Sequence, residues 1–296
     1  MAATKILDSG SRLPTLVVMG LRGARNADGV LSPTPWSLRV FLLVNVVQDF
    51  GLGLSGLLYP RHILIPLKGL TPLNARFVGS LYLGGGIVIL CAALVRRAID
   101  TRIALYSLFV ITALVLGMTF VYWTPFTAGG VPKLWMITYL ADPVLVPVFL
   151  VTLGLVRSTA PGPHRLTGLF LAEAVVLGSA GIALLLAPDA VLTAWPWTLS
   201  RLLARVYGAF FLAFGVGSLL AAYERRTAAV RPFLIGSLGL LVCTLVTSLL
   251  HLDRFDDGPV RWVWFGMHVA GLALFSLGLA ALVRTRSRDD LATAGP

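Results

Sequence analysis

Eight apolar stretches of about 20 residues each dominate this chain and limit most strongly what it can fold into. A helix of that length crosses the hydrocarbon core of a bilayer, and a helix satisfies its own backbone hydrogen bonds in lipid. Charged residues make up only 12% of the sequence, about half the fraction usual in soluble domains. The sequence therefore predicts an all-α polytopic membrane protein with eight transmembrane helices. We place them near residues 37–59, 76–96, 102–123, 135–157, 166–187, 202–223, 232–251 and 262–283.

Basic residues are distributed unevenly between the two sets of loops. Fifteen Lys and Arg residues fall on the termini and on the loops of the same side, against eight on the opposite side. The positive-inside rule then predicts that both termini are cytoplasmic. Six of the seven Trp residues fall at the predicted outer ends, which is typical of an aromatic belt. A composition rich in Ala and Arg indicates a bacterium, and hence the plasma membrane.

The net charge of +11 does not indicate a nucleic-acid partner. The Lys and Arg residues stand singly or in pairs between apolar stretches and form no continuous patch. The sequence predicts the lipid bilayer as a partner. It does not indicate an oligomeric state.

Two stretches with the same spacing, ARFVGSLYLGGG at 75–86 and ARVYGAFFLAFG at 204–215, lie 129 residues apart. Trp135 and Trp264 are related by the same offset. We interpret this as a tandem duplication of a four-helix unit. Because four is even, both copies enter the membrane in the same direction, as parallel repeats do. The predicted segments are a cytoplasmic N-terminal tail at 1–32, membrane repeats at 33–158 and 159–287, and a cytoplasmic C-terminal tail at 288–296.

The repeated pattern is a helix ending in Pro, an outer segment, and then Ala-Arg-x-x-Gly-x-x-x-Leu-x-x-Gly. It resembles small bacterial four-helix membrane proteins of the DoxX-like kind, here present twice and covering most of the chain. Some DoxX-like proteins are associated with quinone-linked redox chemistry. Cys91 and Cys243 stand alone within apolar stretches, so no redox residue carries over from that family.

Polar side chains interrupt the apolar stretches at a few positions, and such residues in membranes are by default candidates for function. Asn45 and Glu173 are related by an offset of 128 residues, and Tyr139 and His268 by 129. Such pairs fit a pseudo-symmetric pocket whose halves have diverged, and they fit neutral drift of packing contacts equally well. The candidate ligand or proton site residues are Asn45, Gln48, Asp49, Arg76, Tyr139, Asp142, Glu173, Arg205 and His268.

Asp49 and Asp142 support the most specific hypothesis, a buried acidic pair joined to Arg76. Such a cluster takes up a proton or binds a cationic or polar ligand. The alternative is a structural ion pair, or a carboxyl group that bonds to backbone groups freed by Pro143 and Pro147.

Arg76 and Arg205 stand at the outer, N-terminal ends of the second and sixth predicted helices. A cation there opposes the helix dipole, so the stability of its own helix does not explain either residue. Two interpretations remain open: snorkelling to outer headgroups, or pairing with an acidic group such as Asp142 or with an anionic ligand.

Small residues at four-residue spacing line one face of the second and sixth helices, and such faces allow close helix packing in membranes. We predict that these two helices face each other or a shared neighbour. The rows are Ser80, Gly84, Val88 and Ala92, in which Val88 is the one bulkier member, and Ala209, Ala213, Gly217 and Ala221.

No motif of a soluble enzyme and no metal-ligand spacing is present in the sequence. His251 and His268 match only approximately in depth, so neither haem nor a metal nor another cofactor is predicted. The preferred function is binding or transport of a small molecule or lipid in a cavity between the repeats. The alternatives are a membrane enzyme or quinone-linked redox subunit, and a non-catalytic assembly or scaffold subunit.

Overall fold

The computed structural model describes residues 32–64, 67, 70–124, 133–156 and 162–293, which are helical apart from short connections. Eight of the helices are long and apolar enough to cross a membrane, which confirms the predicted all-α polytopic fold. Within the described ranges, the only extended pairing is an isolated bridge between Pro33 and Arg97. The helices are α1 (Trp36–Leu58), α2 (Pro72–Ala93), α3 (Arg102–Val121), α4 (Lys133–Thr152), α5 (Thr167–Leu186), α6 (Pro188–Leu192), α7 (Arg201–Ala222), α8 (Thr227–Leu250) and α9 (Pro259–Thr293).

The predicted helix ends agree with the observed ones to within about five residues, with two differences. The short helix α6 lies in the connection after α5. Helix α9 continues ten residues beyond its predicted end at 283. The predicted N-terminal tail lies outside the described residues except for Ser32, and so does the end of the C-terminal tail from 294 onward.

Helices α2 and α7 form the centre of the bundle, since 72% of each apolar window is buried, against 17% for α5 and for α9. Helix α2 packs mainly against α1 and α8, and helix α7 packs mainly against α5 and α3. Helices α4 and α9 cover α3 and α8 from outside. The α2–α8 pair and the α7–α3 pair therefore each contain one helix from each predicted repeat, so the two predicted repeats interleave.

Glycines bring α1 against α2, and α5 against α7, at backbone distance. A Cβ added at Gly79 would lie 2.7 Å from the carbonyl oxygen of Gly53, and one added at Gly208 would lie 2.9 Å from that of Gly181. Close approach of this kind is how helices pack in lipid. The two crossings are related by offsets of 128 and 129 residues, which supports the inferred duplication.

The predicted rows of small residues on α2 and α7 meet a shared neighbour, helix α8. A Cβ added at Gly84 would lie 2.7 Å from the Cβ of Leu240, and one added at Gly217 would collide with the ring of Phe233. Both contacted residues belong to α8. This confirms the prediction of a common packing partner.

Candidate functional site

A cavity lies in the middle of the bundle, where helices α1 to α4 face α7 and α8. About 40 Å³ of it is open to the centres of water molecules, which is room for roughly three waters. Most of its wall is apolar, and a few polar groups converge on one side, which is the usual composition of a small-molecule site. The polar wall consists of Asn45, Gln48, Asp49, Tyr82 and Tyr139.

Polar side chains join α1 to α4 beside this cavity. The Asn45 Nδ2 group donates to the Asp142 Oδ1 atom at 3.4 Å and to the carbonyl oxygen of Phe41 at 3.2 Å. The Thr138 hydroxyl donates a short hydrogen bond to the Gln48 Oε1 atom. Asp142 is 1% exposed, and its Oδ2 atom has no hydrogen-bond partner among the described residues.

The Asp49 carboxylate lines the cavity and is half-buried. Its Oδ2 atom lies against Gly85 of α2, and no described residue forms a hydrogen bond or an ion pair with it. Its charged neighbour is Asp142, and within the described part of the chain no Lys, Arg or His acts on either carboxylate. Two carboxylates without a basic partner are costly in an apolar environment, so this pair needs protons or a bound cation.

A pair of tyrosines forms the adjacent part of the polar wall. The hydroxyl groups of Tyr82 and Tyr139 lie 2.8 Å apart, and the Trp135 Nε1 group donates to the Tyr82 oxygen at 3.4 Å. The ring of Tyr82 packs edge-on against Phe210 of α7, with ring centroids 4.9 Å apart. The wall thus presents aromatic rings and hydroxyl groups side by side.

Arg76 and Arg205 each bind the end of the helix that precedes them. The Arg76 Nε group donates to the carbonyl oxygen of Leu57 at 3.1 Å, and the Arg205 Nε group donates to that of Leu185 at 3.2 Å. These carbonyls belong to the last turns of α1 and α5, where a helix lacks internal partners and favours a cation. Neither arginine contacts Asp142, contrary to that prediction, because Asp142 lies in the middle of α4.

Each arginine has a second contact partner, and these two partners also lie at equivalent positions of the two predicted repeats. The Arg76 Nη1 group lies 2.6 Å from the His251 Nε2 atom, and the Arg205 guanidinium lies 5.5 Å from the centroid of the Tyr122 ring. Residues 122 and 251 are 129 apart. Both arginines therefore brace three helices at the predicted outer face.

We expect acidification to destabilise the protein through His251, which lies just beyond the end of α8. Burial and the neighbouring Arg76 lower the pKa of His251 below its ordinary 6.5, with Arg254 acting in the same direction and Asp253 opposing. The unfolded chain thus binds this proton at a higher pH than the folded chain, so stability falls as the pH drops below 6.5. Unfolding midpoints measured from about pH 8 to about pH 5 should show this decrease.

The matched variants for this pH dependence are His251→Gln and His62→Gln. The first keeps an acceptor for Arg76 and should make the decrease smaller, because it removes the contribution of His251. The second alters an exposed histidine and should retain the full decrease. A decrease of the same size in His251→Gln and in the unaltered protein would contradict the assignment.

Glu173 and His268 do not reach the cavity. The Ser218 hydroxyl donates to the Glu173 Oε2 atom at 2.6 Å. The His268 ring packs on Trp264, and its Nε2 atom lies 3.0 Å from the Thr244 hydroxyl. The structure therefore brings together Asn45, Gln48, Asp49, Tyr139 and Asp142, and places the other four candidates elsewhere.

A buried ion cluster at the predicted cytoplasmic face escaped the sequence analysis. Arg102 pairs with Glu224 at 3.1 Å, and Arg226 pairs with Asp100 and with Glu224, both at 3.2 Å. Burial raises the pKa of Glu224. The hydrogen bonds and charge of Arg226, together with the charge of Arg102, lower this pKa by more than burial raises it, so the net shift is downward. The signal in the sequence is an acidic residue close to arginines in each of two short connections, Asp100 near Arg102 and Glu224 near Arg226.

The Trp residues follow the predicted aromatic belt only in part. Trp123 and Trp262 are 50% and 72% exposed, as the belt predicts. Trp135, Trp197 and Trp264 are at most 8% exposed, and the last two pack edge to face with ring centroids 5.1 Å apart. Tryptophans at the predicted outer face therefore serve the core as well as the lipid boundary.

The eight apolar helices define the chain as a multi-pass integral membrane protein. Comparison with protein-family models, with curated proteins and with solved structures gives no match. The resemblance to DoxX-like proteins therefore stays a prediction. Among the described residues, no group of three or more His, Cys, Asp and Glu side chains could hold a metal ion.

Proposed function

We propose that the protein binds a small organic ammonium compound in the central cavity and carries it across the membrane. The observation that supports this best is the carboxylate of Asp49, which lines the cavity without a partner among the described residues and has a second carboxylate, Asp142, as its charged neighbour. An ionisable residue within a membrane marks a ligand or ion pathway by default. A bound cation supplies the missing positive charge.

The rest of the wall suits an ammonium group better than an inorganic ion. Besides Tyr82 and Tyr139, the rings of Phe210, Phe214 and Phe233 line the cavity. Aromatic faces attract organic cations, most strongly when water is excluded. Room for roughly three waters limits the ligand to a short, narrow compound in the conformation described.

Binding is tested by thermal unfolding of the purified protein with straight-chain primary amines, from methylamine to hexylamine. We expect the amines to raise Tm saturably, because a ligand that binds only the folded state stabilises it. Alcohols and carboxylates of equal chain length should have no such effect, because they lack the positive charge. The longest amine that still raises Tm measures the length of the cavity.

The matched variants are Asp49→Asn and Glu173→Gln, which each neutralise one intramembrane carboxyl group. Asp49→Asn should raise the half-saturating amine concentration about tenfold or more, which corresponds to the loss of one charge-assisted hydrogen bond. Measured in potassium buffer without sodium, Glu173→Gln, outside the cavity, should leave it unchanged. Equal binding to the protein and to Asp49→Asn would refute the site.

Transport is measured separately, as uptake of the tightest-binding labelled primary amine into liposomes that contain the protein, at about pH 6. At that pH an alkylamine is almost wholly charged, so the bilayer itself is a barrier to it. Uptake that depends on Asp49 supports the proposal. Amine binding without any uptake would contradict its transport part.

A further inference from the structure

A second polar cluster lies outside the cavity, where helices α5, α7 and α8 meet. Glu173 of α5 accepts the hydrogen bond from the Ser218 hydroxyl of α7 at 2.6 Å. The Ser237 hydroxyl of α8 acts on the same carboxylate, yet it forms no hydrogen bond with any of the described residues. Ser237 is completely buried. Oxygen atoms from three helices thus converge, and one of them has an unused hydrogen-bonding capacity.

No basic side chain compensates the charge of Glu173. Apart from burial, only the two serines act on its carboxylate among the described residues. An isolated carboxylate in an apolar environment is strongly unfavourable. One monovalent cation balances it, whereas a divalent cation would leave a net positive charge in the membrane.

We propose that Glu173, Ser218 and Ser237 form a binding site for one sodium ion. Carboxylate and hydroxyl oxygens are hard ligands that suit hard cations. A serine hydroxyl has two lone pairs, so the Ser237 oxygen can bind the ion directly. The Ser218 oxygen can do so when its proton turns away from Glu173.

The two serines connect this site to the cavity. Phe214 precedes Ser218 by four residues on α7, and Phe233 precedes Ser237 by four residues on α8. Residues at this spacing share a helix face, and both phenylalanines line the cavity. An ion that draws Ser218 and Ser237 together therefore acts on the rings one helical turn away. This coupling rests on the proposed function, whereas the ion site itself does not.

The site is tested by replacing potassium with sodium during thermal unfolding of the purified protein, at constant ionic strength and pH. We expect Tm to rise saturably with sodium. Glu173→Gln should abolish the rise, and Ser237→Ala should increase the half-saturating sodium concentration about tenfold. Ser237→Thr, which keeps the hydroxyl, should restore the response. The comparison of Ser237→Ala with Ser237→Thr keeps the test decisive even if Glu173→Gln does not fold.

Asp49→Asn separates the two sites. It should keep the full sodium response while its amine binding weakens about tenfold or more, so each proposal can fail alone. Equal effects of sodium and potassium, or a response that persists in Glu173→Gln, would overturn the sodium site. A Tm that follows pH but not sodium would show that Glu173 binds a proton only, which also overturns it.

Discussion

Replacing Glu224 with Gln should lower the free energy of unfolding by about 3–5 kcal/mol, the usual effect of removing one partner of a buried ion pair. Glu224 is completely buried and Arg102 is 5% exposed. The variant leaves Arg102 buried beside Arg226, and Asp100 is then the one acidic partner left to them among the described residues. Chemical unfolding in detergent, followed by Trp fluorescence, measures the loss.

The control is Asp189→Asn, which removes the exposed ion pair between Asp189 and Arg201. Such a pair contributes at most about 1 kcal/mol. Replacing Arg102 and Glu224 together by Met and Leu should recover most of the stability, because a buried pair can be exchanged for apolar residues. Equal losses in Glu224→Gln and Asp189→Asn would contradict the importance of the cluster.

The same cluster gives the protein an acid limit. The folded-state pKa of Glu224 lies below its ordinary 4.5, so Glu224 contributes its full stabilisation above that value. The stabilisation is lost as the pH falls through the lower, folded-state pKa. In Glu224→Gln this part of the acid unfolding should disappear.

Replacing Gly79 with Leu should destabilise the protein by about 3 kcal/mol, at the upper end of the usual effect of overpacking. A Cβ at this position would lie 2.7 Å from the carbonyl oxygen of Gly53 and 2.9 Å from the amide nitrogen of Leu57. These are backbone atoms, so no side chain can turn away and the two helices must separate. The loss is measured by chemical unfolding in detergent.

Gly117→Leu is the matched control, because a Cβ at Gly117 has no atom within 4 Å. It makes the same change within a transmembrane helix and should leave the stability nearly unchanged. Gly208→Leu, at the equivalent crossing of α5 and α7, should behave like Gly79→Leu. Similar stability of Gly79→Leu and Gly117→Leu would show that the crossing tolerates bulk.

The helices could be predicted because bilayer thickness sets their length and composition marks them directly. The polar group on α1 and α4 could also be predicted, since Asn45, Asp49 and Asp142 stand out from apolar surroundings. Their pairing could not, because the rotation of each helix about its axis determines which side chains meet. Tyr82 and Phe210 were missed for a related reason: an aromatic residue in an apolar stretch does not stand out.

The arginines show a different limit of reasoning from sequence. Arg76 and Arg205 each oppose the dipole of their own helix. The carbonyl oxygens that they bind, those of Leu57 and Leu185, belong to the preceding helices. That contact depends on how each helical hairpin closes, and the hairpin geometry cannot be read from spacing alone.

The interleaved pairing of α2 with α8, and of α7 with α3, implies that one four-helix unit has no complete interior of its own. Such a unit alone would turn toward lipid the faces that α2 and α3 present to the other half. Under the predicted duplication, two copies of such a unit would complete each other by exchange, as a dimer. Within one chain the two predicted repeats are free to differ: Asn45 and Tyr139 lie in the first, and Glu173 and His268 in the second. Two different polar sites in one bundle are what a fused pair permits and a symmetric dimer forbids.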